Sequence, residues 1–291
     1  MPAAQSERSD RLAPADRRGP GGRYEGVDPA DPSDEPRERV ASRRAARHRN
    51  AARGWSWRTV AVMAVVVGVL AGAVALRGIL LPTGPRVLVY GDSLMVESQQ
   101  DFRDAARRSG AGTIRQKIWS GTAPCDWVDD VAATARDFKP VIAVIGFSGN
   151  PRPCMAGGDL VESYRRDVTV MVAALTAAGA RVYLVEEPAT IRDTVDAAGR
   201  TQLGLLWEEI ASTWPNTTVV RASLAVTDQG RFTPTLPCEP EEPCGPDGRI
   251  TVRAPDGVHF CPHPVEPAGI CAEYSSGARR YGLAVARGVF G

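Results

Sequence analysis

Arg86-Val87-Leu88-Val89-Tyr90-Gly91-Asp92-Ser93-Leu94 is the stretch from which the rest of the chain can be read. A short apolar run ends in a glycine, and a segment able to form a helix comes next. A strand that turns into a helix at this point puts the Ser93 hydroxyl at the C-terminal edge of a sheet, where open α/β folds build their sites. Gly91 permits the tight turn. The start of the helix would aim free backbone N–H groups at a developing anion. Taken alone, Gly91-Asp92-Ser93-Leu94 fits equally well a strand-to-helix turn with a capping aspartate or serine, so its neighbours must decide.

Three further stretches do so. Ser120-Gly121-Thr122 and Ser148-Gly149-Asn150 each follow an apolar run, and Ala254-Pro255-Asp256-Gly257-Val258-His259 carries an aspartate and a histidine three residues apart. A nucleophile, two oxyanion donors and an acid–base pair therefore occur in order, each at the end of a predicted element. A neutral serine needs an adjacent base to attack a carbonyl. His259 is the candidate, with His263 as the fallback, because these are the only histidines beyond the apolar segment at 59–81.

The set resembles the SGNH (GDSL) hydrolase family, named for a serine, a glycine, an asparagine and a histidine in four blocks. Ser93 matches the first block, Gly121 the second, Asn150 the third, and Asp256 with His259 the D-x-x-H of the fourth; the resemblance spans residues 86–290. The third block departs from the family's Gly-x-Asn-Asp, reading Ser148-Gly149-Asn150-Pro151. The resemblance implies a three-layer α/β/α fold and a serine esterase without metal or organic cofactor. Ser93, Asp256 and His259 would form its triad. The backbone N–H groups of Ser93 and Gly121 and the side-chain amide of Asn150 would form its oxyanion hole.

The periodicity agrees with that fold. Arg86–Tyr90, Thr113–Trp119, Val141–Ile145, Arg181–Val185 and Thr218–Arg221 read as five strands. Helical patterns fall between them, over Val96–Ser109, from a cap at Asp126, over Leu160–Ala178 and over Thr201–Thr213, with a closing helix over Tyr274–Val289. Strand–helix alternation predicts a flavodoxin-like parallel sheet with helices on both faces. Residues 228–255, rich in Pro, Gly and acids, read as a surface excursion.

The 291 residues suit one ordinary domain plus extensions. Residues 1–58 hold 13 Lys/Arg against 9 Asp/Glu and almost no aliphatic residues. Such a segment cannot bury enough apolar surface to offset its ordering entropy, and is predicted to be a disordered cytoplasmic arm. Its arginines crowd toward Arg58, next to Val60–Leu76, which has no charged residue. With Trp55 and Trp57 at its edge, residues 59–81 predict a transmembrane anchor that leaves residues 82–291 outside the cell. A cleaved signal peptide with a site at Ala73-Val74-Ala75 competes, but the charged region ahead of the apolar core is far longer than such peptides carry. Ala64, Gly68 and Gly72 recur every four residues and offer a weak anchor-helix dimer contact. The basic arm beside an apolar span is explained by membrane orientation, so no nucleic-acid partner is expected.

All six cysteines lie after the apolar segment. An even number on the outer side predicts disulfides in an oxidising compartment. The absence of any C-x-x-C pair argues against zinc. If Gly121 and Asn150 serve one oxyanion, their loops converge, and Cys125 and Cys154, each four residues further on, fall within bridging distance. Cys238–Cys244 and Cys261–Cys271 then remain as local closures. The expected activity is hydrolysis of acyl esters on envelope glycans or of small esters. An O-acyltransferase using the same acyl-enzyme, or an idle glycan-binding domain, are the alternatives.

Overall fold

The computed structural model describes residues 56–80, 83–263 and 270–291. The predicted disordered arm lies outside them, apart from Ser56 to Arg58. The uncharged run forms helix α1 (Trp57–Leu80). Its described side chains, from Trp57 to Gly72, are all exposed. Among the described residues no helix is long and apolar enough to cross a membrane.

From Val87 onward strands and helices alternate. The order is β1 (Val87–Gly91), α2 (Ser93–Glu97), α3 (Gln99–Arg108), β2 (Ile114–Ile118), α4 (Val128–Phe138), β3 (Ile142–Gly146), α5 (Leu160–Ala177), β4 (Arg181–Val185), α6 (Gln202–Thr213), β5 (Thr217–Val220), β6 (Thr235–Pro237), β7 (Arg249–Thr251) and α7 (Ser276–Phe290). The first five strands pair in parallel in the order β2-β1-β3-β4-β5. This is the flavodoxin-like order, with its switch point between β1 and β3.

The period-2 alternation of side chains makes two cores from one sheet. Leu88, Tyr90, Ala143, Ile145, Val182 and Leu184 face α4, α5 and α6. Val87, Val89, Ile142, Val144, Tyr183 and Val185 face α2, α3 and α7. Both faces are covered, which is why β1 and β3 read as continuous apolar runs and are buried along their whole length.

Five local features depart from the sequence expectation. The first helix starts at Ser93 itself and breaks at Ser98, whose hydroxyl donates 2.7 Å to the Leu94 carbonyl one turn back. Asp126 does not cap α4. It closes a short 3-10 turn at Pro124–Asp126 by accepting the Ala123 N–H at 2.9 Å, and Trp127 precedes the helix. Four of the five strands are displaced or shortened by a residue at their ends, and Arg181–Val185 alone keeps its expected bounds. The closing helix begins two residues late, at the Ser275 cap, whose hydroxyl accepts the Ala278 N–H. Within residues 228–255, β6 and β7 form an antiparallel ribbon. Glu242, in the connection of that ribbon, pairs with Arg280 of α7 at 2.9 Å; hydrogen bonding to Arg280 lowers its pKa to about 2, against the opposing effect of burial.

Glu187 lies just beyond β4 and is buried. It accepts the Thr201 hydroxyl and, at 3.0 Å, the Trp207 indole N–H. Burial pushes its pKa up to about 8, although both bonds pull it down. A folded-state pKa raised above the unfolded one near 4 fixes the sign. The neutral acid contributes stability that is fully present below pH 4 and is lost as pH rises through 8. Glu187→Gln keeps the shape and cannot ionise. Its stability relative to wild type is expected to rise between pH 5 and pH 9 by the order of a few kcal/mol. Thermal melts of both proteins at pH 5, 7 and 9 check this; parallel pH profiles would disprove it.

Candidate active site

The turn after β1 is tight enough to explain its glycine. A Cβ on Gly91 would sit 2.6 Å from the Gly146 carbonyl oxygen and 2.5 Å from the Met95 side chain. The chain therefore leaves the sheet abruptly, and Ser93 becomes the first residue of α2 with Asp92 as its cap. The Asp92 side chain accepts the Leu94 N–H at 3.2 Å. At the first position of a helix the Ser93 N–H has no intrahelical partner, so it remains available to an anion.

His259 reaches this serine from the far end of the domain. Its Nε2 lies 3.0 Å from Ser93 Oγ, and its Nδ1 lies 2.7 Å from Asp256 Oδ2. The three predicted triad residues are thus in one hydrogen-bonded line. The other Asp256 oxygen accepts the N–H groups of Val258 and His259 at 2.8 and 3.0 Å. Partial burial raises the Asp256 pKa, but the His259 side chain and these two amides lower it more, and the net shift is downward. The aspartate therefore stays ionised and holds the proton on Nδ1, leaving Nε2 free to accept the serine proton. His263 lies elsewhere, with Nδ1 3.9 Å from Glu273 and a largely exposed side chain.

Gly121 adopts φ +74°, a left-handed conformation that favours glycine. Its loop is held against the nucleophile turn by the Trp119 N–H, which donates 3.1 Å to the Gly91 carbonyl. Among the described residues the Gly121 N–H has no acceptor.

Asn150 is bonded to the other two blocks. Its Nδ2 donates to Asp92 Oδ2 at 3.0 Å and to the Thr122 carbonyl at 3.1 Å. An amide carries two N–H donors, so both are engaged within the protein. In this geometry Asn150 joins the first, second and third blocks, while the N–H groups of Ser93 and Gly121 remain for the oxyanion.

Asp92 is the centre of that junction; the sequence marked it as a helix cap, which it is, but not as the acceptor that ties the blocks together. It is fully buried, and its Oδ2 also accepts the Ser148 N–H at 2.6 Å and the Ser148 hydroxyl at 2.7 Å. Burial raises its pKa to about 6, against the pull of these bonds. Its position directly beside the nucleophile was the available signal. Arg253, also unforeseen, lies buried between the Phe232 and Phe260 rings and donates at 3.3 Å to the carbonyl of Gly257 in the Asp256–His259 loop.

The disulfides are Cys125–Cys154, Cys238–Cys244 and Cys261–Cys271. The first joins the 3-10 turn after Gly121 to the one after Asn150 with a Cα separation of 6.1 Å. A bridge across 29 residues removes unfolded-chain entropy equivalent to about 3–4 kcal/mol. Arg152 reinforces the junction through a 3.1 Å ion pair with Asp126. Two groupings offer three potential metal ligands each, Glu97 with Cys261 and Cys271, and Asp126 with Cys125 and Cys154. Their sulfurs are disulfide-bonded and are not thiolate ligands.

The five-stranded parallel sheet with helices on both faces is the α/β architecture expected from the sequence. Residues 86–264 match a family model described as "Protein of unknown function (DUF459)". No curated protein matches. Among solved structures the chain is similar to a lipase/acylhydrolase from Enterococcus faecalis, at 15% identity and a TM-score of 0.46 over 71% of this chain and 95% of that one. It is similar to a carbohydrate esterase family 3 protein from Talaromyces cellulolyticus, at 14% identity and a TM-score of 0.43 over 70% and 95% of the two chains. A psychrotrophic esterase, EstA from Pseudoalteromonas sp., aligns at 15% identity and a TM-score of 0.38 over 49% and 80%.

Proposed function

This chain belongs to the DUF459 family, and we propose that it is a serine ester hydrolase that works through an acyl-serine intermediate at the outer face of a membrane. One observation carries the chemistry: the continuous line from Asp256 through His259 to Ser93, at 2.7 and 3.0 Å. Ser93 Oγ attacks the ester carbonyl while its proton passes to His259 Nε2. The negative charge that develops on the carbonyl oxygen is met by the N–H groups of Ser93 and Gly121. Each such donor lowers the barrier by roughly 3 kcal/mol when preorganised. The tetrahedral intermediate expels the alcohol, which takes the proton back from Nε2. Water then gives a proton to Nε2 and attacks the acyl-serine; Ser93 Oγ leaves, takes that proton back from Nε2, and the acid is released. Asp256 stabilises the imidazolium in both halves.

The side chains of His259 and Asp256 are 38% and 51% exposed, while Ser93 itself is buried. A buried nucleophile beside an open histidine and aspartate suits a short acyl group, such as acetyl, whose bulky alcohol, such as a glycan, stays outside. Phosphonylation of Ser93 by a fluorophosphonate probe tests the reading. Wild-type protein is expected to label, and failure to label under conditions where the protein is folded would exclude a working triad.

The membrane location is part of the same proposal. It is supported by the uncharged run Val60–Leu76, by the arginines that precede it, by the placement of every cysteine after that run, and by the exposure of every described side chain on α1. The arginines orient the arm toward the cytoplasm. Full-length protein is expected to sediment with membranes and resist carbonate extraction, whereas a chain beginning at Thr83 is expected to be soluble and equally active on a small acetyl ester. Recovery of protein cut after Ala75 from the culture medium would replace the anchor by a signal peptide.

A further inference from the structure

The triad explains how His259 is oriented from one side only. Asp256 fixes the ring and the His259 backbone N–H, both from the N-terminal side of the loop. The C-terminal side is held by a carboxylate on the nucleophile's own helix. Glu97 is the last residue of α2, one turn beyond Ser93. Its Oε2 accepts the N–H of Phe260 at 2.6 Å and that of Cys261 at 3.2 Å, the first two amides after the base.

We propose that Glu97 is the positioning residue that fixes the base to the nucleophile: a single helical turn carries Ser93 at its start and, at its end, the clamp on the loop that presents His259. The inference rests on the serine hydrolase reading and adds a residue to it.

Three features of the site support this role. First, 163 residues separate Glu97 from Phe260, so the contact joins two distant segments, and it does so right at the base. Second, a single carboxylate oxygen accepts two consecutive amides, at 2.6 and 3.2 Å. Their direction is set by the peptide planes on either side of Phe260, so the bonds fix the course of the chain as it leaves His259. Third, the clamped residues are anchored in turn. Phe260 is buried with its ring 5.2 Å from that of Tyr281, and Cys261 is bridged to Cys271. Because Ser93 and Glu97 belong to one rigid turn, a small shift of α2 carries nucleophile and base together, and the 3.0 Å contact between them is preserved. Without the clamp the base would follow its loop and the nucleophile its helix.

The effect should fall on turnover. Misplacing a reacting group by about 1 Å can lower the rate about 100-fold. Substrate binding uses other contacts and should be spared.

The test compares four full-length proteins, wild type, Glu97→Gln, Glu97→Asp and Glu97→Met, on a small acetyl ester, with thermal melts and fluorophosphonate labelling rates measured in parallel. Gln keeps an acceptor oxygen at the same reach. Asp keeps the charge but is shorter by one methylene. Met keeps the length without an acceptor. Expected are a kcat within about threefold of wild type for Gln, and a kcat lowered about 10- to 100-fold for Asp and Met, with KM within about twofold throughout and labelling rates falling in step with kcat. Asp and Gln decide the matter if Met does not fold. A kcat above half of wild type in Asp or Met would overturn the proposal. So would a rise in KM at unchanged kcat, or a loss in Gln equal to that in Met, because Gln keeps the acceptor oxygen that Met lacks. Wild-type protein that neither turns over ester nor labels would overturn the hydrolase reading itself, and is distinguished from these outcomes by its own control.

Discussion

Ser93→Ala is expected to lose fluorophosphonate labelling completely and to retain less than about a thousandth of wild-type ester turnover. Ser93 Oγ lies 3.0 Å from His259 Nε2. Without the hydroxyl no acyl-enzyme forms, and only attack by water remains, in a site that still has its oxyanion donors. His259→Ala should cost nearly as much, because a neutral serine has no other base within reach and the members of such a unit fail together. Asp256→Asn should leave a weak residue of activity. The asparagine can hold the ring in place but favours the wrong tautomer, since its amide donates where the aspartate accepts. The measurement is turnover of a small acetyl ester by purified variants with matched thermal melts. If Ser93→Ala kept more than a few per cent of wild-type turnover, Ser93 would not be the nucleophile.

The parts of this site that were legible in the sequence share one property: each is encoded locally. Gly91-Asp92-Ser93 marks a strand-to-helix turn because the residues before it are apolar and only a glycine fits against Gly146. Asp256 and His259 are legible because a turn aspartate three residues before a histidine can bond the backbone and the ring at once, as it does. The central strands could be read because both their faces are buried, which leaves a run without polar interruption.

The illegible parts depend on distant partners. Ser98 breaks the first helix by bonding the carbonyl one turn back, a choice that its fully buried setting favours and that propensity alone does not reveal. Asp126 sits where a helix cap belongs, yet it is taken up by Ala123 and Arg152. Glu97 looks like any polar residue near a helix end until the loop after His259 is folded onto it. Asn150 could be read as present in its block, but its bonding partners, Asp92 and Thr122, come from two other blocks.

Asn150 and Asp92 therefore yield the other large expected effect. Asp92→Ala would strand four donors in a buried place: the N–H groups of Leu94 and Ser148, the Ser148 hydroxyl and the Asn150 amide. Each unsatisfied buried donor costs about 1–3 kcal/mol, reduced wherever water enters the space left by the carboxylate. The nucleophile turn and the third block should both loosen, and kcat is expected to fall about 100- to 1,000-fold. Asn150→Ala removes one of these bonds and the bond to the Thr122 carbonyl, and should lower kcat only about tenfold if its amide serves to hold the blocks together. The double variant then separates the two roles that an asparagine can have here. When Asn150 acts through Asp92, its further removal adds little, and the double variant should be no worse than Asp92→Ala alone. If instead the amide leaves the Thr122 carbonyl to meet the oxyanion, Asn150→Ala alone should cost about 100- to 1,000-fold in kcat, as the loss of an oxyanion donor does, and that loss should multiply with the loss from Asp92. The geometry favours the first outcome, since both amide hydrogens already face oxygen atoms at 3.0 and 3.1 Å, one of them on a buried carboxylate that is stabilised by every donor it keeps.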